Sequence, residues 1–243
     1  MIFNSELPPE SAMTALHEYV AQPDEHYAWK HVEQQPSAEV TRHVLSMTSQ
    51  VWRTTDEVDR VLWQHWLVIY MPKQVDHETA LLKISGGDNT DVPPTLSNPL
   101  LANMAREHRT VTAEVFNVPN QPLRFLADED AKLRVEDGIL AYGLARFLES
   151  DDPEWLVNLP MTKSVVRAMD TVTEFCRLKT PAPPVEKFVV AGISKRGWTT
   201  WLTAVVDPRV VAIAPMVFDA LNIKPSLAHQ IQAYGEYGAA LSD

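Results

Sequence analysis

One stretch constrains this chain more than any other: Lys187-Phe-Val-Val-Ala-Gly-Ile-Ser-Lys-Arg-Gly-Trp198. A short apolar strand runs into Gly192, a serine follows at 194, and the chain opens directly into a helical pattern. A sharp strand-to-helix turn of this kind holds a serine hydroxyl out at the top of a sheet, the layout of a nucleophile elbow. Such a turn needs parallel strands behind it and helices against it. It therefore points to an α/β chain before any other residue is read.

The rest of the pattern agrees. Glu10 to Val20 reads as a short helix, followed by a polar connection with Pro23. Val40 to Ser49 and Trp63 to Met71 read as strands, the second with a Leu67-Val-Ile-Tyr-Met run suited to burial on both faces. From Thr79 onward strands and helices alternate. The strands are Ala80 to Ile84, Thr110 to Phe116, Lys187 to Ile193 and Val210 to Pro215. The helices are Leu96 to His108, Lys132 to Leu148, Thr162 to Leu178 and Arg196 to Val205. That alternation implies right-handed crossovers and a mostly parallel, doubly covered sheet. Residues 1–35 read as an N-terminal extension and 36–243 as the α/β domain. The loop from Asn117 to Asp130 leaves the carboxyl edge of a strand, where open α/β sheets bind ligands.

The chemistry expected at the elbow follows from the weakness of a serine hydroxyl as a nucleophile. It needs a base to take its proton and donors to hold the oxyanion. Gly192 and Gly197 permit close backbone approach on either side of Ser194. The amide of Lys195 would stand at the new helix's N-terminus, where free N–H groups favour an anion. A second donor is expected from Gly87 or Asp88, at the end of an earlier strand. Arg196 stands where G-x-S-x-G has its second glycine. It either brings positive charge to the oxyanion or an anionic substrate, or pairs with a carboxylate and pins the helix. Gly192 and Gly197 also have the spacing of a phosphate-binding loop, but Trp198 stands where that loop requires lysine.

A triad needs an acid and then a histidine after the serine. Downstream, Asp219 lies just past the Val210–Phe218 run and could serve as acid or substrate contact. His229 is the single later histidine, on a predicted helix with no strand to carry it back over Ser194. No histidine or cysteine spacing suits a metal, and no cofactor is implied. The lone cysteine, Cys176, falls on the apolar side of a helix and reads as packing. A net charge of −11 disfavours nucleic acid or anionic membrane as partners. The longest apolar run, nine residues from Val210 to Phe218, is far shorter than the ~20 that span a bilayer. The first residues carry no signal-peptide pattern.

Phe188 to Val210 resembles the core of the PhoPQ-activated pathogenicity-related proteins. Supporting stretches are Met47-Thr-Ser-Gln-Val-Trp-Arg53, Val118-Pro-Asn-Gln-Pro-Leu123, Leu159-Pro-Met-Thr-Lys163, Arg167-Ala-Met-Asp-Thr-Val172 and Tyr234-Gly235. The resemblance implies an α/β-hydrolase fold, mostly in exported bacterial proteins, with Ser194 as nucleophile. The group also includes a secreted proliferation repressor. The resemblance further implies later strands, acid and histidine beyond Asp243, so that this chain is expected to be a nearly inactive part of a serine hydrolase for ester or peptide bonds. The competing expectation is a non-catalytic, secreted signalling or virulence-related protein on the same scaffold.

Overall fold

The computed structural model describes residues 13–129, 132–179, 183–218 and 222–236. Helix α1 (Ala15–Ala21) leads into strands β1 (Ala28–Pro36), β2 (Val40–Val51) and β3 (Leu62–Pro72). Then come β4 (Thr79–Ile84), α2 (Pro99–His108) and β5 (Thr112–Val115), followed by a small ladder of β6 (Leu123–Arg124) with β7 (Leu133–Arg134). Helices α3 (Asp137–Ser150) and α4 (Asn158–Lys179) precede β8 (Lys187–Ile193), α5 (Lys195–Val206), β9 (Val210–Met216) and α6 (Ile223–Tyr234).

Seven strands form one sheet in the order β1-β2-β3-β5-β4-β8-β9. The joints from β1 to β5 are antiparallel, and those from β5 through β4 and β8 to β9 are parallel. The α/β fold class is as read from sequence, but the sheet is mixed, with the elbow in its parallel half. Strands β4 and β8 sit centrally there, and Leu82, Phe188 and Val190 are fully buried. Helix α4 covers one face with Met161, Val165, Ala168, Met169, Val172, Phe175 and Cys176, all buried at helical spacing. Burial pushes the Cys176 thiol up to about 12, which leaves it a packing group.

Strand β1 is a departure from the sequence reading. It pairs with β2 along nearly its whole length, while Tyr19 and Val20 of α1 enter the main core. The described residues before 36 are thus built into the domain. Its alternating exposure on an edge strand gives β1 a polar composition, which hid it. The start of α3 also differs: Leu133–Arg134 pairs with Leu123–Arg124, and the helix begins only at Asp137. The opening of the expected first helix, before Met13, lies outside the described residues. At the far edge, β9 has no strand on its outer side among the described residues, and Ala214 and Met216 are exposed there.

Beneath the core lies a polar network. Ser49 Oγ contacts His65 Nε2 at 2.9 Å and Ser164 Oγ at 3.0 Å, and Gln50 joins Tyr19, Ser164 and the Pro160 carbonyl. His65 Nδ1 lies 3.1 Å from the Phe116 carbonyl, so this nitrogen carries the proton and Nε2 accepts from Ser49. Burial lowers the His65 pKa from 6.5 to about 4. His43 falls likewise to about 4, through burial first and then through His31 and Lys179. In the unfolded chain both rings protonate near their ordinary value, whereas the folded rings stay neutral. The stability these two neutral rings contribute should therefore decline as pH falls from about 6.5 to about 4. Urea-unfolding midpoints across that range should show a flatter decline in His65→Asn than in the parent. Identical slopes would remove His65 from the account.

Candidate active site

Ser194 is the N-cap of α5, at the point where β8 stops. Its backbone sits at φ 57° and ψ −125°, a conformation nearly reserved for glycine. The side chain is exposed, and its hydroxyl makes no capping bond to its own helix. The Ser194 N–H donates to the Met216 carbonyl at 2.9 Å, tying the bend to the end of β9. Both flanking glycines are sterically required. A Cβ on Gly192 would lie 2.5 Å from the carbonyl carbon of Arg196 and 2.9 Å from its Cβ. One on Gly197 would lie 2.9 Å from Phe218 Cβ and 3.0 Å from the Met216 oxygen. Trp198 then stacks on Phe218 with ring centroids 5.4 Å apart. The second glycine has moved one position along the helix, but it still allows close packing.

Lys195 is the first helical residue, and its N–H has no backbone partner among the described residues. Across the β4–β8 pairing, Ile84 is opposite Gly192, which brings the segment from Ser85 to Asp88 beside the elbow. Of the two expected second donors, only Gly87 is available. The Asp88 N–H donates to Asp91 Oδ2 at 2.8 Å, closing a local turn, whereas the Gly87 N–H has no partner among the described residues. Gly87 also has no room for a side chain, since a Cβ would lie 2.9 Å from the Asn117 nitrogen.

Arg196 takes the second of its two expected roles. Its Nη1 and Nη2 each donate to Glu136 at 2.6 Å, and Nε donates to the Val118 carbonyl at 2.6 Å. With three guanidinium nitrogens committed and the residue 9% exposed, its charge serves Glu136 rather than an incoming anion. Lys195 Nζ joins the same carboxylate at 2.6 Å and reaches Asp137 at 3.0 Å. Burial alone would raise the Glu136 pKa, but hydrogen bonds from Arg196, Lys195 and Gln121 outweigh it and hold the carboxyl at about 2. Glu136 and Gln121 were not singled out by sequence reasoning. Glu136 lay inside what read as a continuous helix. Gln121 lies in the carboxyl-edge loop and within the Val118–Leu123 stretch that carries the family resemblance, the two signals the sequence offers for it.

His229 is exposed on α6, and no hydrogen bond joins it to Ser194 among the described residues. Asp219 lies outside the described residues. No group of three or more histidine, cysteine or carboxylate side chains among the described residues is placed to hold a metal ion. No helix among them is long and apolar enough to cross a membrane.

The family model for the PhoPQ-activated pathogenicity-related protein matches residues 16–243. The chain belongs to that family. A relative in Dictyostelium discoideum, the autocrine proliferation repressor protein A, is 41% identical over 233 residues. That match takes in 95% of this chain and 46% of the relative, so the chain spans about half that protein's length. Among solved structures, an acetyl xylan esterase from Paenibacillus sp. R4 superposes with a TM-score of 0.56 at 14% identity, covering 97% of this chain and 67% of that one. Acetyl xylan esterase 1 from Thermoanaerobacterium sp. gives 0.53 at 14% identity, covering 97% and 71%. At such identities the likeness is one of fold: this PhoPQ-related chain has a hydrolase-like scaffold.

Proposed function

We propose that this chain supplies the nucleophile and oxyanion donors of a serine hydrolase acting on an ester or peptide bond. The observation that carries this reading is Ser194: an exposed hydroxyl on a strained bend, at a helix N-terminus, with neither the hydroxyl nor the Lys195 amide partnered among the described residues. In this mechanism Ser194 Oγ attacks an acyl carbon, and the developing oxyanion accepts hydrogen bonds from the Lys195 and Gly87 amides. The acyl–serine intermediate is then hydrolysed. No histidine among the described residues is hydrogen-bonded to Ser194. Without a base held against the serine, ester turnover should run ~10⁶-fold below that of a complete triad, leaving ~10³–10⁴ over water from donors and binding.

A second reading has support from the 41% identity to a protein named as an autocrine proliferation repressor. In it the scaffold is a secreted binding surface, and the elbow is retained for its structure alone. A fluorophosphonate probe separates the two. With no base in place the hydrolase reading expects slow labelling: one covalent mass addition on the parent after prolonged exposure to a large probe excess, and none on Ser194→Ala under the same conditions. Equal labelling of both, or of neither, favours the binding protein.

A further inference from the structure

We infer that Glu136 and Gln121 are positioning residues that bolt the two oxyanion donors, the Lys195 and Gly87 amides, to one another. The inference rests on the reading of Ser194 as nucleophile, and it concerns how that site keeps its shape. Glu136 adopts φ 51° and ψ −121°, almost the conformation of Ser194, and like Ser194 it stands at the N-cap of a helix that follows a strand. A non-glycine residue persists there only when its surroundings over-determine it, and such strain gathers at functional sites.

The surroundings are specific. Gln121 Oε1 accepts the Glu136 N–H at 2.7 Å, while Gln121 Nε2 is shared between Glu136 Oε1 at 2.7 Å and the Gly87 carbonyl at 2.9 Å. On the other side the carboxylate receives the side chains of Lys195 and Arg196, the two residues directly after the serine. An unbroken path of hydrogen bonds thus runs from the Gly87 carbonyl, in the same residue as the Gly87 N–H, through Gln121 and Glu136 to the side chains of the first turn of α5. Gly86 makes room for it: a Cβ there would lie 2.7 Å from Arg196 Nη2. Each carboxylate oxygen accepts two donors, which fills the lone pairs a carboxylate offers. Glu136 is therefore no proton acceptor for Ser194; its part is geometric. Because the carboxyl titrates at about 2, the clamp stays charged at all ordinary pH.

The rate of fluorophosphonate labelling reads this clamp directly. In that reaction Ser194 Oγ bonds to phosphorus, fluoride leaves, the hydroxyl proton passes to water, and the phosphoryl oxygen gathers charge between the two amides. Glu136→Ala and Gln121→Leu should each slow labelling about 10- to 100-fold per folded molecule, the scale of misplaced donors. Added formate should recover part of the rate in Glu136→Ala and none in Gln121→Leu, which a general loss of stability would not do. Gln121→Leu keeps every ion pair and carries the test if Glu136→Ala fails to fold. Parent-like rates per folded molecule in Gln121→Leu overturn the clamp alone. A parent that does not label even after prolonged exposure to a large probe excess, or a Ser194→Ala that labels as the parent does, overturns the nucleophile reading and the clamp with it.

Discussion

Gly192→Ala is expected to cost about 3 kcal/mol or more, at or beyond the top of the usual range for overpacking. The reason is that the added methyl meets backbone rather than a movable side chain. It would stand 2.5 Å from the Arg196 carbonyl carbon, in the first turn of α5, so either the strand or the helix must shift. For a chain of this size that loss lowers the melting temperature by roughly 6–12 °C. Gly138→Ala is the matched control. Its nearest neighbour would be Arg134 Cβ at 3.9 Å, an ordinary contact in α3, and the position has no unusual φ. There alanine should be neutral or stabilising by about 0.4–1 kcal/mol through the unfolded state. Calorimetry of the two variants decides the matter; equal melting temperatures would mean the elbow is not tightly packed.

Ser194→Gly should have the opposite sign and still abolish labelling. A serine at φ 57° and ψ −125° carries strain of about 1–3 kcal/mol that glycine does not. Glycine's greater freedom in the unfolded chain returns about 0.5–1 kcal/mol of that. The hydroxyl caps nothing, so its removal costs little. A net gain of ~1 kcal/mol remains for the glycine variant, and Ser194→Ala, which keeps the strain, should melt near the parent. Stability set against function at one residue is what a strained nucleophile predicts. If the glycine variant is no more stable than the alanine variant, the bend is relaxed and this account of it is wrong.

Much of the parallel half was legible in the residues. The apolar run at Phe188–Ala191, the two glycines and the serine specify a strand, a bend and a helix within a dozen positions. Cys176 could be placed on a helix face by period alone. Strand β1 was not legible, because an edge strand with one wet face looks like a polar connection. The partner of Arg196 was not legible either. Arginine at that position pairs with whichever carboxylate the fold delivers, and Glu136 arrives from 60 positions away.

The division is physical. Local backbone conformation depends on side chains within a few residues, so this chain's sequence alone determined the elbow, the helix faces and the α/β alternation. Which amide stays free, which carboxylate meets the two cations and how β1 joins the sheet depend on contacts between distant segments. Those were decided by the tertiary structure, which closed Asp88 into its own turn and left the Gly87 N–H without a partner among the described residues.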